Sequence, residues 1–331
     1  MKSYFLYAKQ ERYSGQDWAD VIPQVLSPDG DGTMPLVIKS NDDSVCTSIY
    51  SLQYLTIESL ENNNTIYWYT SITSTTRTIS ASTDNGVTWT EYTTTTGGTE
   101  IATLNTGDKV LLKGLNSAYG GDPGDIYFDS SKKYNVYGNI MSLTNGDNFI
   151  SVTTINNWSL AGIFKESSGL TSAENLVLPA TTLGDYCYDD MFAGCTNLTT
   201  APELPSTTLA DGCYGNMFSG CTSLTTAPEL PATELVNNCY FNMFRDCTSL
   251  TTAPTLPAAT LVYQCYMGMF YQCASLNYIK CLATDITANR CTYYWGYGVS
   301  STGTFVKDAS MSSWTTGYSG IPNNWTVQNN S

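Results

Sequence analysis

The sequence predicts a mainly β protein: an N-terminal all-β, sandwich-like domain, then a solenoid of 26-residue repeats, then a C-terminal cap. Two observations carry this expectation. Cys187, Cys213, Cys239, Cys265 and Cys291 fall 26 residues apart, and Cys195, Cys221, Cys247 and Cys273 repeat the same step eight residues later. Upstream of them, β-branched and aromatic runs alternate with turn-forming residues, in a composition rich in Thr, Ser, Gly (26) and Tyr (24). The 331 residues have room for about two ordinary domains. They divide into an N-terminal attachment segment (1–48), a β-sandwich-like domain (49–150), the solenoid of about five repeats (151–282) and the cap (283–331).

Charge and missing residue types narrow the function classes. Lys+Arg number 14 against 29 Asp+Glu, a formal charge of −15 with no basic stretch, so the phosphate-neutralising interaction behind nucleic-acid binding is lacking. There is no histidine, which removes Ser-His-Asp and Cys-His nucleophiles, Cys2His2 zinc sites and imidazole acid-base steps. Met1 to Ala8 runs directly into Lys9-Gln10-Glu11-Arg12, leaving no apolar core for a secretory signal, and no run of about 18 apolar residues offers a membrane span. The expectation is a protein without export signal, membrane span or cofactor.

In the β region, Ile66 to Tyr69, Thr78 to Ser82, Val87 to Tyr92 and Lys109 to Lys113 read as strands, separated by Asp84-Asn85-Gly86 and Thr106-Gly107-Asp108 turns. A small sandwich is the predicted form. Ser82 to Trp89 matches S-x-D-x-G-x-T-W, the Asp box that recurs in sialidase propeller blades. One copy builds no propeller, and a sialidase needs an arginine cluster and a Tyr-acid nucleophile where only Arg77 is at hand. The box therefore reads as a hairpin device in which Asp84 caps the turn, Gly86 takes positive φ and Trp89 packs below. Asp29-Gly30-Asp31-Gly32 opens like a calcium loop but has Ser40 where a bidentate Glu is needed. Gly120 to Asp125 lacks the Lys and following helix of a phosphate loop. Both read as turns.

The repeat unit is LPxTTLxxxCYxxMFxxCTSLTTAPE, with copies beginning at Leu178, Leu204, Leu230 and Leu256. A degenerate copy precedes them, with Ile163-Phe164 in the Met-Phe place, Ser167 in the cysteine place and two extra residues around Asn175-Leu176-Val177. A unit this small cannot bury its own apolar side, so units must stack. Leu224-Thr225-Thr226-Ala227 predicts one strand of a parallel ladder, ended by Pro228. From Leu209 to Cys221 the apolar positions recur at i, i+4, i+5, i+8, i+9 and i+12, which predicts a helical stripe or a short 3₁₀ helix. The cysteine columns become ladders of small buried side chains about 5 Å apart. An odd total of eleven and cytosolic synthesis favour thiols over disulfides, and without CxxC pairs there is no zinc site. Cys46 and Cys281 stand outside both columns.

The register Met-Phe-x-x-Cys-x-x-Leu, carried by Met191 to Leu198 and its three successors, resembles the BspA-type leucine-rich repeats, whose unit ends in F-x-x-C-x-x-L and continues into a short strand. The resemblance spans Ile163 to Leu282, about a third of the chain. It implies a right-handed solenoid with a parallel sheet on one face and a role in adhesion, on surfaces of anaerobic gut bacteria or in appendages of phages that infect them. Trp18 to Pro23 with Asp29 to Thr33, and Tyr54 to Glu58 leading to Gly138 to Leu143, are similar to text in such phage proteins.

Between copies the core letters hold while the slots flanking Cys-Tyr and Met-Phe change. Their Tyr, Asn, Asp, Gly, Ser and Arg are the vocabulary of adaptable binding surfaces, although solvated slots also drift freely. With the Cys-Tyr and Met-Phe pairs inward, the slots share the opposite face. Candidate ligand-binding residues are Tyr186, Asp190, Asn216, Asn238, Phe241, Asn242, Arg245, Tyr263, Gln264, Met267, Tyr271 and Gln272. No catalytic or metal-ligating residue is assigned. Thr199-Thr200, Thr225-Thr226 and Thr251-Thr252 would form hydroxyl ladders on the strand face, open to sugar or purely structural.

The expected function is that of a non-enzymatic virion fibre or appendage protein of a phage of gut bacteria. Residues 1–48 would engage other virion proteins, and the repeat face a bacterial cell-surface glycan or protein. Alternatives are an exported bacterial cell-surface adhesin of the same repeat class, a capsid-decorating protein without a receptor and, on the Asp box alone, a glycan-cleaving enzyme. Fibres are often symmetric homo-oligomers, but no coiled-coil heptad specifies one.

Overall fold

Among the described residues eight strands build the region ahead of the repeats, and the protein is mainly β. The computed structural model describes residues 52–70, 76–120, 126–312 and 314–330. The expected attachment segment, the Asp29 to Gly32 turn, Cys46 and all but the first residue of the Gly120 to Asp125 loop lie outside the described residues. Among the described residues no helix is long and apolar enough to cross a membrane.

The strands are β1 (Leu55–Ser59), β2 (Asn64–Thr70), β3 (Thr78–Ser82), β4 (Thr90–Thr93), β5 (Thr99–Leu104), β6 (Lys109–Gly114), β7 (Ile126–Asp129) and β8 (Tyr134–Asn139). One antiparallel sheet runs β8-β1-β6-β3-β4 and a second runs β5-β2-β7. Burial alternates along β2 and β6, so Ile66 and Trp68, Val110 and Leu112 face inward. Three of the four expected strands fall inside β2, β3 and β6. The fourth starts later than expected, at Thr90, because Thr88 donates from its amide and hydroxyl to Asp84 (2.9 and 2.6 Å) and is held in the turn. Thr106-Gly107-Asp108 joins β5 to β6, which lie in different sheets.

The repeats stack on this region and share its core, which is continuous from Leu55 to Trp325. β8 pairs in parallel with β9 (Leu170–Ser172) and β10 (Leu176–Val177), and β10 is built from the extra residues of the degenerate copy. Phe164 rests on Phe128 of β7 (5.9 Å between ring centroids), and Phe128 stacks on Trp68 of β2 (4.4 Å). From there Phe164, Phe192, Phe218, Phe244 and Phe270 form a ladder with 5.5–6.0 Å between rings, beside a second ladder of Tyr188, Tyr214, Tyr240 and Tyr266. The indole of Trp295 closes both, lying 6.4 Å from Tyr266 and 6.3 Å from Phe270, and is itself covered by Trp314 at 5.5 Å.

The segment expected as a helical stripe is a ribbon of overlapping turns. In the coil from Ala210 to Cys221, the amides of Cys213, Gly215, Met217, Ser219 and Cys221 each bond the carbonyl three residues back. The amides between them, from Gly212, Tyr214, Asn216, Phe218 and Gly220, donate instead to the next coil at Asn237, Cys239, Phe241, Met243 and Arg245. Every second turn carries positive φ at its second central residue, the backbone signature of a type II turn: Gly212 (62°), Asn216 (49°) and Gly220 (76°). The true period is therefore four residues, two in and two out. Over twelve residues that reproduces the apolar spacing of a helix, which is why the pattern misleads.

Among the described residues, the parallel strand expected in each copy joins a sheet at the two ends of the stack, in the degenerate copy as β9 beside β8 and again near the C-terminus. There β11 (Thr252–Leu256), β12 (Tyr278–Cys281), β13 (Thr304–Lys307) and β14 (Thr326–Asn329) lie side by side in parallel. Leu224 to Ala227 belongs to no strand. Three successive copies carry two prolines each, Pro202 and Pro205, Pro228 and Pro231, Pro254 and Pro257, which remove backbone donors, and these copies share no sheet with one another; of the three, the last forms a strand, against the proline-free β12. Pro254 sits inside β11 where its register against β12 is interrupted, whereas β12 has no proline and pairs with β13 at every residue.

Substituting a left-handed glycine of the ribbon tests this construction. A Cβ at Gly212 would enter the ring of Tyr186 in the preceding coil, at a φ that a β-branched residue does not tolerate. Gly212→Val is expected to cost about 2–4 kcal/mol in urea unfolding with the m-value unchanged, against under about 1 kcal/mol for Asn216→Gly.

Candidate functional site

Each ribbon turns the pairs Cys187-Tyr188 and Met191-Phe192, and their equivalents, into the core, with every one of these side chains buried. The intervening pairs form one outward face running along the stack. The second member of each pair is the positive-φ residue: Tyr186, Asp190 and Gly194 in one coil, Asn238, Asn242 and Asp246 two coils on, then Gln264, Gly268 and Gln272. Gly and Asn, with Asp, are the residues that accept this conformation most readily. The variable vocabulary in these columns thus has a backbone cause before any ligand is invoked.

The structure divides the candidate residues into two groups. Asn216 donates to Asp189 (3.3 Å) and Asn238 to Asp211 (3.0 Å), Asp190 pairs with Lys165 (2.7 Å), and Tyr186 stacks on Trp158 (4.3 Å), so these four tie neighbouring coils together. Asn242, Gln264 and Gln272 are half-buried at left-handed positions. Phe241, Arg245, Tyr263, Met267 and Tyr271 occupy the first members of their pairs, with Tyr263 41% exposed.

Beyond them the face continues into residues assigned from sequence to the cap. The amides of Cys291, Tyr293, Trp295 and Tyr297 repeat the three-back bonds, and Arg290, Tyr294 and Gly298 repeat the positive φ, so this segment is one more coil. It brings Tyr293, Tyr294, Tyr297 and Arg290 onto the face, with Tyr318 beside them. Tyr271 stacks on Tyr297 (5.1 Å) and Tyr294 on Tyr318 (4.7 Å), and Tyr293 meets Tyr294 edge-on (4.4 Å). The Arg245 guanidinium lies 4.5 Å from the Tyr271 ring centre and that of Arg290 5.9 Å from Tyr293. Hydrogen bonding to Tyr293 and the nearness of Tyr318 push the Tyr294 phenol up to about 12. Among the described residues, every tyrosine that ranks with the exposed large apolar side chains, Tyr263, Tyr293, Tyr297 and Tyr318, is on this face. Counting on from Tyr271 by one repeat finds Tyr297, so the signal was present in the register.

The cysteine columns face the other way. All ten described cysteines are buried free thiols. Cys195, Cys221, Cys247 and Cys273 each donate to a Phe carbonyl in the preceding coil, at 2.9, 3.2, 3.1 and 2.9 Å. In the degenerate copy Ser167 takes this place and bonds the Tyr134 hydroxyl and Asp129 (3.2 Å to the latter), fastening the first coil to β7 and β8. Burial holds these thiols high, Cys213 and Cys273 at about 12, so little reactive thiolate exists near neutral pH. On the strand side, Thr199 and Thr200 spend their hydroxyls on the coil before, on the Thr171 carbonyl (2.9 Å) and on Ser172 (2.5 Å).

In the Asp box, Asp84 gathers Ser82, Thr88 and the Thr88 amide, which hold its carboxyl down near 2, while Trp89 donates to the Gly86 carbonyl (3.1 Å). Arg77 donates to the carbonyls of Thr76 and Ala118. A cleft of about 130 Å³ lined by Leu115, Met141, Ile155 and Asn156 lies between the β region and the first coil, away from the tyrosine cluster. No family model, curated protein or solved structure matches the chain.

Asp189 is a carboxylate that the stack buries, 7% exposed. Burial, with Asp190 beside it, raises its carboxyl to about 7. The folded state therefore keeps a proton that the unfolded chain gives up near pH 4, so stability falls as pH rises from about 4 through 7. Asp189→Asn is expected to gain about 1–3 kcal/mol over wild type at pH 8 and to lose that advantage at pH 4, by urea unfolding at both pH values. Peptide-resolved mass spectrometry after alkylation at pH 7.5 is expected to find the ten described cysteines unlabelled until the protein is denatured.

Proposed function

We propose that this chain is a non-enzymatic adhesion protein, built on a leucine-rich-repeat solenoid of the BspA type and carried on a phage appendage, which holds its outward ribbon face against the surface of a bacterial host. One observation carries the reading: the tyrosines and arginines contributed by successive coils gather into one exposed cluster from Arg245 to Tyr318. Exposed large aromatic side chains cost solubility and contribute nothing to the core, and rigid rings with few rotamers are what binding surfaces use as anchors. The stack supplies the rigidity: alternate amides of the coil that carries Tyr263 and Tyr271 are bonded to the coil that carries Tyr293, Tyr294 and Tyr297, and the Gly296 amide to the Tyr318 carbonyl. The net charge of −15 directs the reading to cell surface rather than nucleic acid.

Binding of the purified chain to intact cells of a panel of anaerobic gut bacteria tests it. Wild type is expected to bind, and Tyr263→Ala/Tyr271→Ala/Arg245→Ala to lose about tenfold or more in affinity with its thermal unfolding unchanged within a few degrees. A wild-type chain that binds none of the cells refutes the adhesion reading.

A further inference from the structure

The cluster on the outward face also says what kind of molecule it fits, an argument that rests on the adhesion reading above. Sugar rings are held by open aromatic faces, and the ring at the middle of the cluster, Tyr271, offers none. Tyr271 is covered on one side by the Arg245 guanidinium and on the other by Tyr297. Tyr294 is covered by Tyr318 and met edge-on by Tyr293. Tyr297 stays 40% and Tyr318 50% exposed despite this packing. Among the outward side chains of these coils, Phe241, Arg245, Met267, Tyr271, Arg290 and Tyr297 are of the types enriched at the centres of protein interfaces, Asn, Asp and Gln fill most of the left-handed positions between them, and Lys and Glu are absent. The face is a surface rather than a pocket, which suits a partner that is itself a surface.

Charge narrows the partner further. The chain carries −15 overall, yet this end of the face presents two arginines. Arg245 pairs with Asp246 (3.1 Å), whereas no ion pair among the described residues involves Arg290. Phenols and guanidinium groups together make a surface rich in hydrogen-bond donors. We propose that the Arg245 to Tyr318 cluster docks a protein, and that the partner's contact surface is acidic, offering carboxylates and backbone carbonyls to these donors.

The probe is the same panel of intact cells, in three preparations: untreated, shaved with proteinase K, and oxidised with periodate to destroy surface sugars. Binding is expected to fall about tenfold or more on shaved cells and to survive periodate. On untreated cells Arg290→Glu is expected to weaken binding about tenfold, while Arg290→Lys stays close to wild type and shows the usual weakening with salt. Tyr297→Phe/Tyr318→Phe keeps the ring packing and removes two hydroxyl donors, so a loss there reports hydrogen bonding and not misfolding. Binding that resists proteinase but is abolished by periodate overturns the proposal in favour of a glycan and leaves the adhesion reading standing. Equal binding by Arg290→Glu and wild type overturns the acidic partner. Absence of wild-type binding to untreated cells overturns both.

Discussion

Everything after β8 depends on how the ribbon spends its backbone amides. Consecutive N–H groups point alternately along the coil and across to the next one, so each coil satisfies half of its donors by turning and half by stacking. A coil separated from its neighbours would leave the second half without protein partners. Stacking is therefore a condition of the local conformation, and the conformation in turn needs a left-handed residue at every fourth position. The Gly and Asn content of the outward face and the straight columns of core side chains both follow from that one arrangement.

The columns must end somewhere, and the two ends are closed by large aromatics. At one end the Phe ladder runs through Phe164 onto Phe128 and Trp68 of the β region; at the other, one indole at Trp295 covers both ladders and Trp314 covers the indole. Atypical terminal copies are expected of any stacked repeat, since a regular copy would expose its neighbour's core. Here the degenerate first copy changes cysteine to Ser167 where a hydroxyl can meet Tyr134 and Asp129, so the departure from the repeat is the joint between the two parts of the core.

The outward columns serve two purposes that composition alone does not separate. Toward the first coils their side chains reach sideways: Asn216 to Asp189, Asn238 to Asp211, Lys165 to Asp190. Toward the last coils the same columns hold phenol rings and arginines that reach one another and solvent. The proposed adhesive surface is the second part, where an exposed ring has no structural duty comparable with a bond between coils.

Read alone, the sequence determined that the chain is mainly β in its first part, that 26-residue units stack, and that the Cys, Tyr, Met and Phe letters form inner columns, because a periodic apolar pattern can be buried only by repeating its contacts. It also marked the variable slots as outward, including Tyr263, Tyr271 and Arg245. It did not distinguish a period of four from one of 3.6 within a twelve-residue window, since both place the same residues inward. Only the tertiary structure decided that. It also decided that neighbouring copies with two prolines each share no sheet while β11, with the same pair, joins the proline-free β12, that Asn216 and Asn238 are spent between coils, and that Tyr293, Tyr294, Tyr297 and Tyr318 join the rings before them. Those outcomes depend on which coil lies beside which, and contacts between residues 24–28 positions apart are made by stacking, not by any local preference of the chain.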